Sequence, residues 1–208
     1  MIIRELCLEN FTKIPQALQA GVERIELCDN LDVGGTTPSY GVIEEAAKYV
    51  AESKTTLAVM IRPRGGNFVY NSHELKIIET DTLKAVEAGA QNIVFGALTP
   101  GNEIDTDALE TVSIAAQGLP ITFHMAFDEV TDQEKAIDQL VEFGVDKILT
   151  HGGPLDQPLN TDKLKSLIDY AKGKINIIIG GGVNAENFEN LAQLTGTNYV
   201  HGTKIIKL

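Results

Sequence analysis

A chain of 208 residues with 43% hydrophobic side chains can fill one substantial core but not two, so one domain over residues 1–208 is expected. Seventeen basic against twenty-nine acidic side chains leave a formal charge of -12, a field that repels phosphate backbones and anionic lipid and excludes nucleic acid as a partner. No apolar run approaches the roughly 20 residues of a membrane span, MIIRELCLENF is too short a run for a secretion signal, and two cysteines make no disulfide framework. A cytoplasmic protein with both thiols reduced is expected.

In chain order, IIRELCL (residues 2–8) is a short apolar run of strand type, and TKIPQALQA (12–20) carries apolar residues three and four apart, as a helix lying on a sheet requires. RIELC (24–28) is the second strand and YGVIEEAAKYVAE (40–52) the second helix. TLAVMIRP (56–63) precedes a helix over HELKIIETDTLKAVEA (73–88), and NIVFGA (92–97) precedes one over DTDALETVSIAAQ (105–117). PITFHMAF (120–127) reads as the fifth strand, DQEKAIDQLVEF (132–143) as the fifth helix, KILTHG (147–152) as the sixth strand and TDKLKSLIDYAK (161–172) as the sixth helix. INIIIGGG (175–182), AENFENLAQL (185–194) and NYVHGT (198–203) complete the series. Thr131, Thr161 and Asn184 are the expected N-caps of the last three helices.

Four of the helix-to-strand junctions share one pattern, a glycine, three residues, then an apolar run: AGVERIELC, AGAQNIVFGA, FGVDKILTHG and TGTNYVHGT. Each reads as a helix closed by glycine that turns directly into a buried strand. Eight short apolar strands alternating with seven helices predict a parallel sheet closed on itself, an α/β chain with the TIM-type (β/α)8 barrel. The doubly wound open sheet is the lesser alternative, because no GxGxxG follows the first strand. Only a few residues follow NYVHGTK, so the eighth helix is missing or vestigial, and the wall it leaves bare predicts a homo-oligomer.

In such a barrel the working face is the C-terminal end of the strands. Polar residues do gather at those ends: Glu9, Cys28, Asp29, Arg62, Arg64, His124, Asp128, His151, Gly180 to Gly182 and His201 to Thr203. RIELCDNLDVGGTTPSYG, VMIRPRGGNFVY, IVFGALT, ITFHMAFDEV and IIGGGVNAENF, in that order along nearly the whole chain, resemble the signature blocks of the CutC copper-homeostasis family. The resemblance implies a TIM-type barrel and a cytoplasmic copper-binding role, and brings no settled reaction with it. The sequence departs from that pattern at Met125, where many relatives have arginine, at His151, which adds an imidazole, and at His201-Gly202-Thr203-Lys204, after which the usual tail is nearly absent.

Residues two apart in a strand face one way, so Glu5 shares a face with Cys7, and Glu26 with Cys28. Two thiolates on neighbouring strands, about 4.8 Å apart, suit Cu(I), which prefers soft sulfur, with His124 or His201 as third ligand. The competing reading is two ordinary buried thiols. For Glu26 the expected partners are Arg62 and Arg64 on the next strand. A second function, in a different class, is an enzyme acting on a small anionic or phosphorylated metabolite. Glu26, Arg62, His124 and Asp128 would be its catalytic groups, with His124 and Asp128 as the acid/base pair, and Arg64 would help Arg62 clamp the anion. Gly181, Gly182, His201, Gly202 and Thr203 would form its phosphate-binding rim.

Overall fold

A computed structural model describes the whole chain, Met1–Leu208. Eight strands form a closed parallel barrel in sequence order: β1 (Ile3–Glu9), β2 (Arg24–Cys28), β3 (Thr56–Met60), β4 (Asn92–Phe95), β5 (Ile121–Phe123), β6 (Lys147–Thr150), β7 (Asn176–Ile179) and β8 (Tyr199–Gly202). Seven helices cover it: α1 (Ile14–Gln19), α2 (Tyr40–Val50), α3 (Ser72–Glu87), α4 (Thr106–Ala115), α5 (Gln133–Glu142), α6 (Thr161–Ala171) and α7 (Phe188–Thr195). No helix follows β8, whose pairing with β1 closes the ring through Ile3 beside Tyr199 and Glu5 beside His201. No helix is long and apolar enough to cross a membrane.

The glycines of the repeated junction explain how each helix hands over to its strand. Gly21, Gly89, Gly144 and Gly196 all have φ between +69° and +98°, the left-handed region that only glycine enters without a Cβ clash. Strand alternation then sorts the side chains into two environments. Leu6, Leu8, Ile25, Leu27, Leu57, Val59, Ile93, Phe95 and Phe123 point outward, into one continuous core of 47 buried residues between sheet and helices. The inward positions hold a much smaller apolar group, Cys7, Cys28, Ala58, Met60 and Val94. The rest of the interior is polar and has to supply its own partners.

Several local expectations shift. Asp132 caps α5 by accepting from the Lys135 N–H and Asn160 caps α6 from the Lys163 N–H, each one residue away from the expected threonine. Asn184 does not start α7. Its side chain accepts from the Glu186 N–H in a turn, and the helix begins at Phe188. The fifth strand ends at Phe123, because the His124 Nδ1 accepts the Ala126 N–H and caps a 3-10 turn over Met125–Glu129. Asp128 therefore lies in that turn, beyond the end of the strand.

Candidate metal centre

The motif R-I-E-L-C puts Arg24, Glu26 and Cys28 on the inner face of β2, and E-L-C puts Glu5 and Cys7 on that of β1. The parallel register sets Cys7 beside Glu26 and Glu5 beside Arg24, while β8 brings His201 to the other side of Glu5. The two sulfurs lie 3.9 Å apart, and the Cys28 thiol reaches to 3.6 Å from the Glu26 Oε2. Nδ1 of His201 is 2.8 Å from the Glu5 Oε1, and its Nε2 is 3.8 Å from the Glu26 Oε2. Cys7, Glu26 and His201 each offer a ligand atom within 4.8 Å of the others, and all three are buried.

The electrostatics follow from this packing. Burial works against the charge on Glu5, but Arg24 and then His201 outweigh it and hold the carboxyl at about 2. An ionised Glu5 accepts from the Nδ1–H of His201, which fixes the ring and turns Nε2 toward Glu26 and Cys7. The Cys28 thiol, which donates toward Cys7, brings Cys7 down to about 5 despite burial, with His201 adding to the effect. Cys28, as the donor, is pushed up. Burial raises Glu26 strongly, and the Glu26 Oε1 has no partner. Burial also works against a charged His201, but Glu26, Cys7 and Glu5 raise it nonetheless. Two sulfurs bound to one ion at metal–sulfur lengths of about 2.3 Å can be at most about 4.6 Å apart, so 3.9 Å fits a shared soft ion.

The family model for the CutC family matches residues 2–206. The chain belongs to the CutC family. A CutC family protein of Streptococcus pyogenes is 57% identical over 209 residues, covering 99% of this chain and 100% of the relative. One from Enterococcus faecalis is 54% identical with the same coverage. A solved CutC structure from Streptococcus agalactiae, assigned provisionally to copper homeostasis, is 52% identical, covers 99% of this chain and 100% of the other, and superimposes with a TM-score of 0.96. An aldolase at 15% identity and TM-score 0.70 shares the fold.

The remaining residues singled out in the sequence lie elsewhere on the CutC barrel. Glu26 pairs with neither Arg62 nor Arg64, because β3 ends at Met60 and both arginines sit in the following loop. Arg62 donates to the carbonyls of Val33, Gly35 and Gly66, tying two mouth loops together. Arg64 is held by Glu74 and by backbone carbonyls at the rim. Asp128 accepts from the Thr150 hydroxyl at 2.5 Å and from the N–H groups of His151, Gly152 and Gly153, so its oxygens organise the loop after β6. His124 is buried and held neutral, at about 3, by burial and then by the Arg62 charge.

Gly181 and Gly202 answer to packing: a Cβ on the first would meet the His151 ring, and one on the second the Val183 carbonyl. Nothing lies within 4 Å of a Cβ built on Gly182. Thr203 and Lys204 line a groove of about 470 Å³ with Lys13, Asn184 and Lys207, apart from His201, which belongs to the interior cluster. Arg24 stands outside the residues expected from the sequence, although its inward position two residues before Glu26 is legible in RIELC.

Proposed function

We propose that this CutC family member binds Cu(I) as cargo inside the barrel, through Cys7 and Cys28 with Nε2 of His201 as third ligand, and serves copper homeostasis in the cytoplasm. The reading rests on one observation above all: the two cysteine sulfurs lie 3.9 Å apart, and Cys7 shares a buried cluster with Glu26 and an imidazole whose other nitrogen is tied to Glu5. A soft donor set of this kind favours Cu(I) over harder ions. Both cysteines are free thiols, as a reducing compartment would keep them. Anaerobic Cu(I) titration against a competing chelator tests it. Wild type should hold one ion that the Cys7→Ser/Cys28→Ser variant cannot, and equal, weak binding by both would end the proposal.

A second reading, an enzyme acting on a small anionic metabolite at the mouth, is supported by the unpartnered, buried Arg62 Nε, Tyr70 hydroxyl and His124 Nε2. Both the Arg62 guanidinium and the His124 ring lie 4.9 Å from the Phe68 ring centroid. Thermal shifts with phosphorylated and carboxylate metabolites check it; no stabilisation by any of them counts against it. The wall between β8 and β1, which no eighth helix covers, is proposed as a contact between copies, and sedimentation as a monomer at high concentration would refute that.

A further inference from the structure

The barrel is also open at the end opposite its mouth. The N-terminal ends of its strands surround a cavity of about 450 Å³, with Ile3, Arg24, Thr56, Asn92, Lys147 and Tyr199 among its walls. Its charge runs against that of the molecule: Arg24, Lys54 and Lys147 line it, in a chain whose net charge is -12. The single acid on its wall, Glu23, is occupied by Arg4, which donates to it from Nε and Nη2 at 2.9 to 3.0 Å. Neither Lys54 nor Lys147 has an acid within ion-pair distance.

The roof of this cavity carries two donors without a protein acceptor, the buried Asn92 Nδ2 and the solvent-accessible Arg24 Nη1. The Arg24 fork gives Nε to Glu5, and Nη2 to the Asn92 Oδ1 at 2.7 Å and the Thr122 hydroxyl at 3.1 Å, which leaves Nη1 without a protein partner. Asn92 takes donors from both Arg24 and Thr122 on Oδ1, an arrangement that settles which amide atom is oxygen. Its Nδ2 is buried with no acceptor, and the residue is only 1% exposed. A buried donor left unmade costs on the order of 1–3 kcal/mol, and a guanidinium beside a half-buried ammonium adds like-charge repulsion. Burial first, and Arg24 second, push the Lys147 ammonium toward losing its proton. One negatively charged acceptor in the cavity would pair with the open Arg24 Nη1 and offset the repulsion between Arg24 and Lys147.

We infer that the floor of the barrel is a binding site for a compact oxyanion, a phosphate or carboxylate group, held by Arg24 and Asn92 at its roof and by Lys54 and Lys147 at its rim. The site lies at the other end of the sheet from the mouth, and needs no metal to form. It touches the interior cluster only through Arg24, whose Nε holds Glu5 while Glu5 holds His201.

The test is isothermal titration of the metal-free 208-residue chain with inorganic phosphate and, separately, with acetate at constant ionic strength. At least one should bind saturably at one site, and which one does identifies the group. Lys54→Ala/Lys147→Met should weaken that binding at least tenfold, while Lys204→Ala/Lys207→Ala, in the groove beside α7, should leave it unchanged. The side-chain amide resonance of Asn92 should move on titration. Should the double variant fail to fold, the exposed Lys54→Ala alone should still lower affinity about threefold. Absence of saturable binding by either anion, or undiminished binding in the floor variants, would overturn the inference.

Discussion

Replacing Arg24 with methionine keeps the volume of the side chain while removing the charge that faces Glu5. The ion pair it breaks is 2% exposed on the glutamate side and 6% on the arginine side, so water cannot substitute for the lost partner. Removing one member of a buried pair costs about 3–5 kcal/mol. An independent route reaches a similar figure: moving the Glu5 carboxyl from 4.5 to about 2 corresponds to about 3 kcal/mol of preference for the charged form, shared between Arg24 and His201. Urea denaturation at pH 7 should therefore show Arg24→Met destabilised by about 3 kcal/mol. A domain stable by about 5–15 kcal/mol survives this. The sign of the pH dependence follows from a depressed carboxyl: the contribution of Glu5 is fully present above pH 4.5 and is lost as pH falls from there toward 2. Arg24→Met should flatten that acid limb. Adding Glu5→Gln to the variant should recover part of the loss, since no unpaired charge remains. A cost below about 1 kcal/mol, the range of an exposed pair, or strict additivity of the two substitutions, would refute the reasoning.

Three further outcomes follow from particular contacts. His124, held neutral by burial and Arg62, accepts the Ala126 N–H on Nδ1, so nitrogen-15 NMR should find the Nε2–H tautomer throughout pH 5–8; a midpoint near the ordinary 6.5 would contradict this. Asp128→Ala leaves the Thr150 hydroxyl and the N–H groups of His151 and Gly153 without their acceptor, at a cost of about 2 kcal/mol, while the Gly152 N–H keeps the Thr150 hydroxyl oxygen; hydrogen exchange at His151 and Gly153 should speed up while that in β2 follows only the global change. Gly202→Ala drives a methyl into the Val183 carbonyl and should cost about 1–3 kcal/mol, read as a drop in Tm of several degrees; an unchanged Tm would show that the loop after β7 yields freely.

The parts of the site legible in the sequence are those that depend on strand alternation. Glu5 with Cys7, and Glu26 with Cys28, share their faces because side chains repeat every two residues, whatever the strands pack against. The same rule covered Arg24, but an arginine between a glycine turn and an apolar run looks like a strand-end surface charge until its neighbours are known. The expected pairing of Glu26 with Arg62 and Arg64 fails for a local reason: alternation stops at the true ends of β3 and β5, where a loop and a capped 3-10 turn redirect the side chains that follow.

What the sequence determined alone is the architecture: four glycine-closed junctions and eight apolar strands alternating with seven helices, each set by interactions within a few residues. The tertiary structure decided which of the inward groups meet. Whether Cys7 faces Glu26 depends on the stagger of β1 against β2, and His201 reaches Glu5 only because the ring closes on partners 196 residues apart. Register is a property of two strands together, and charge inside a barrel is set by everything that surrounds it. For both reasons the thiol cluster, and the cationic floor beneath it, became visible only once the chain was closed.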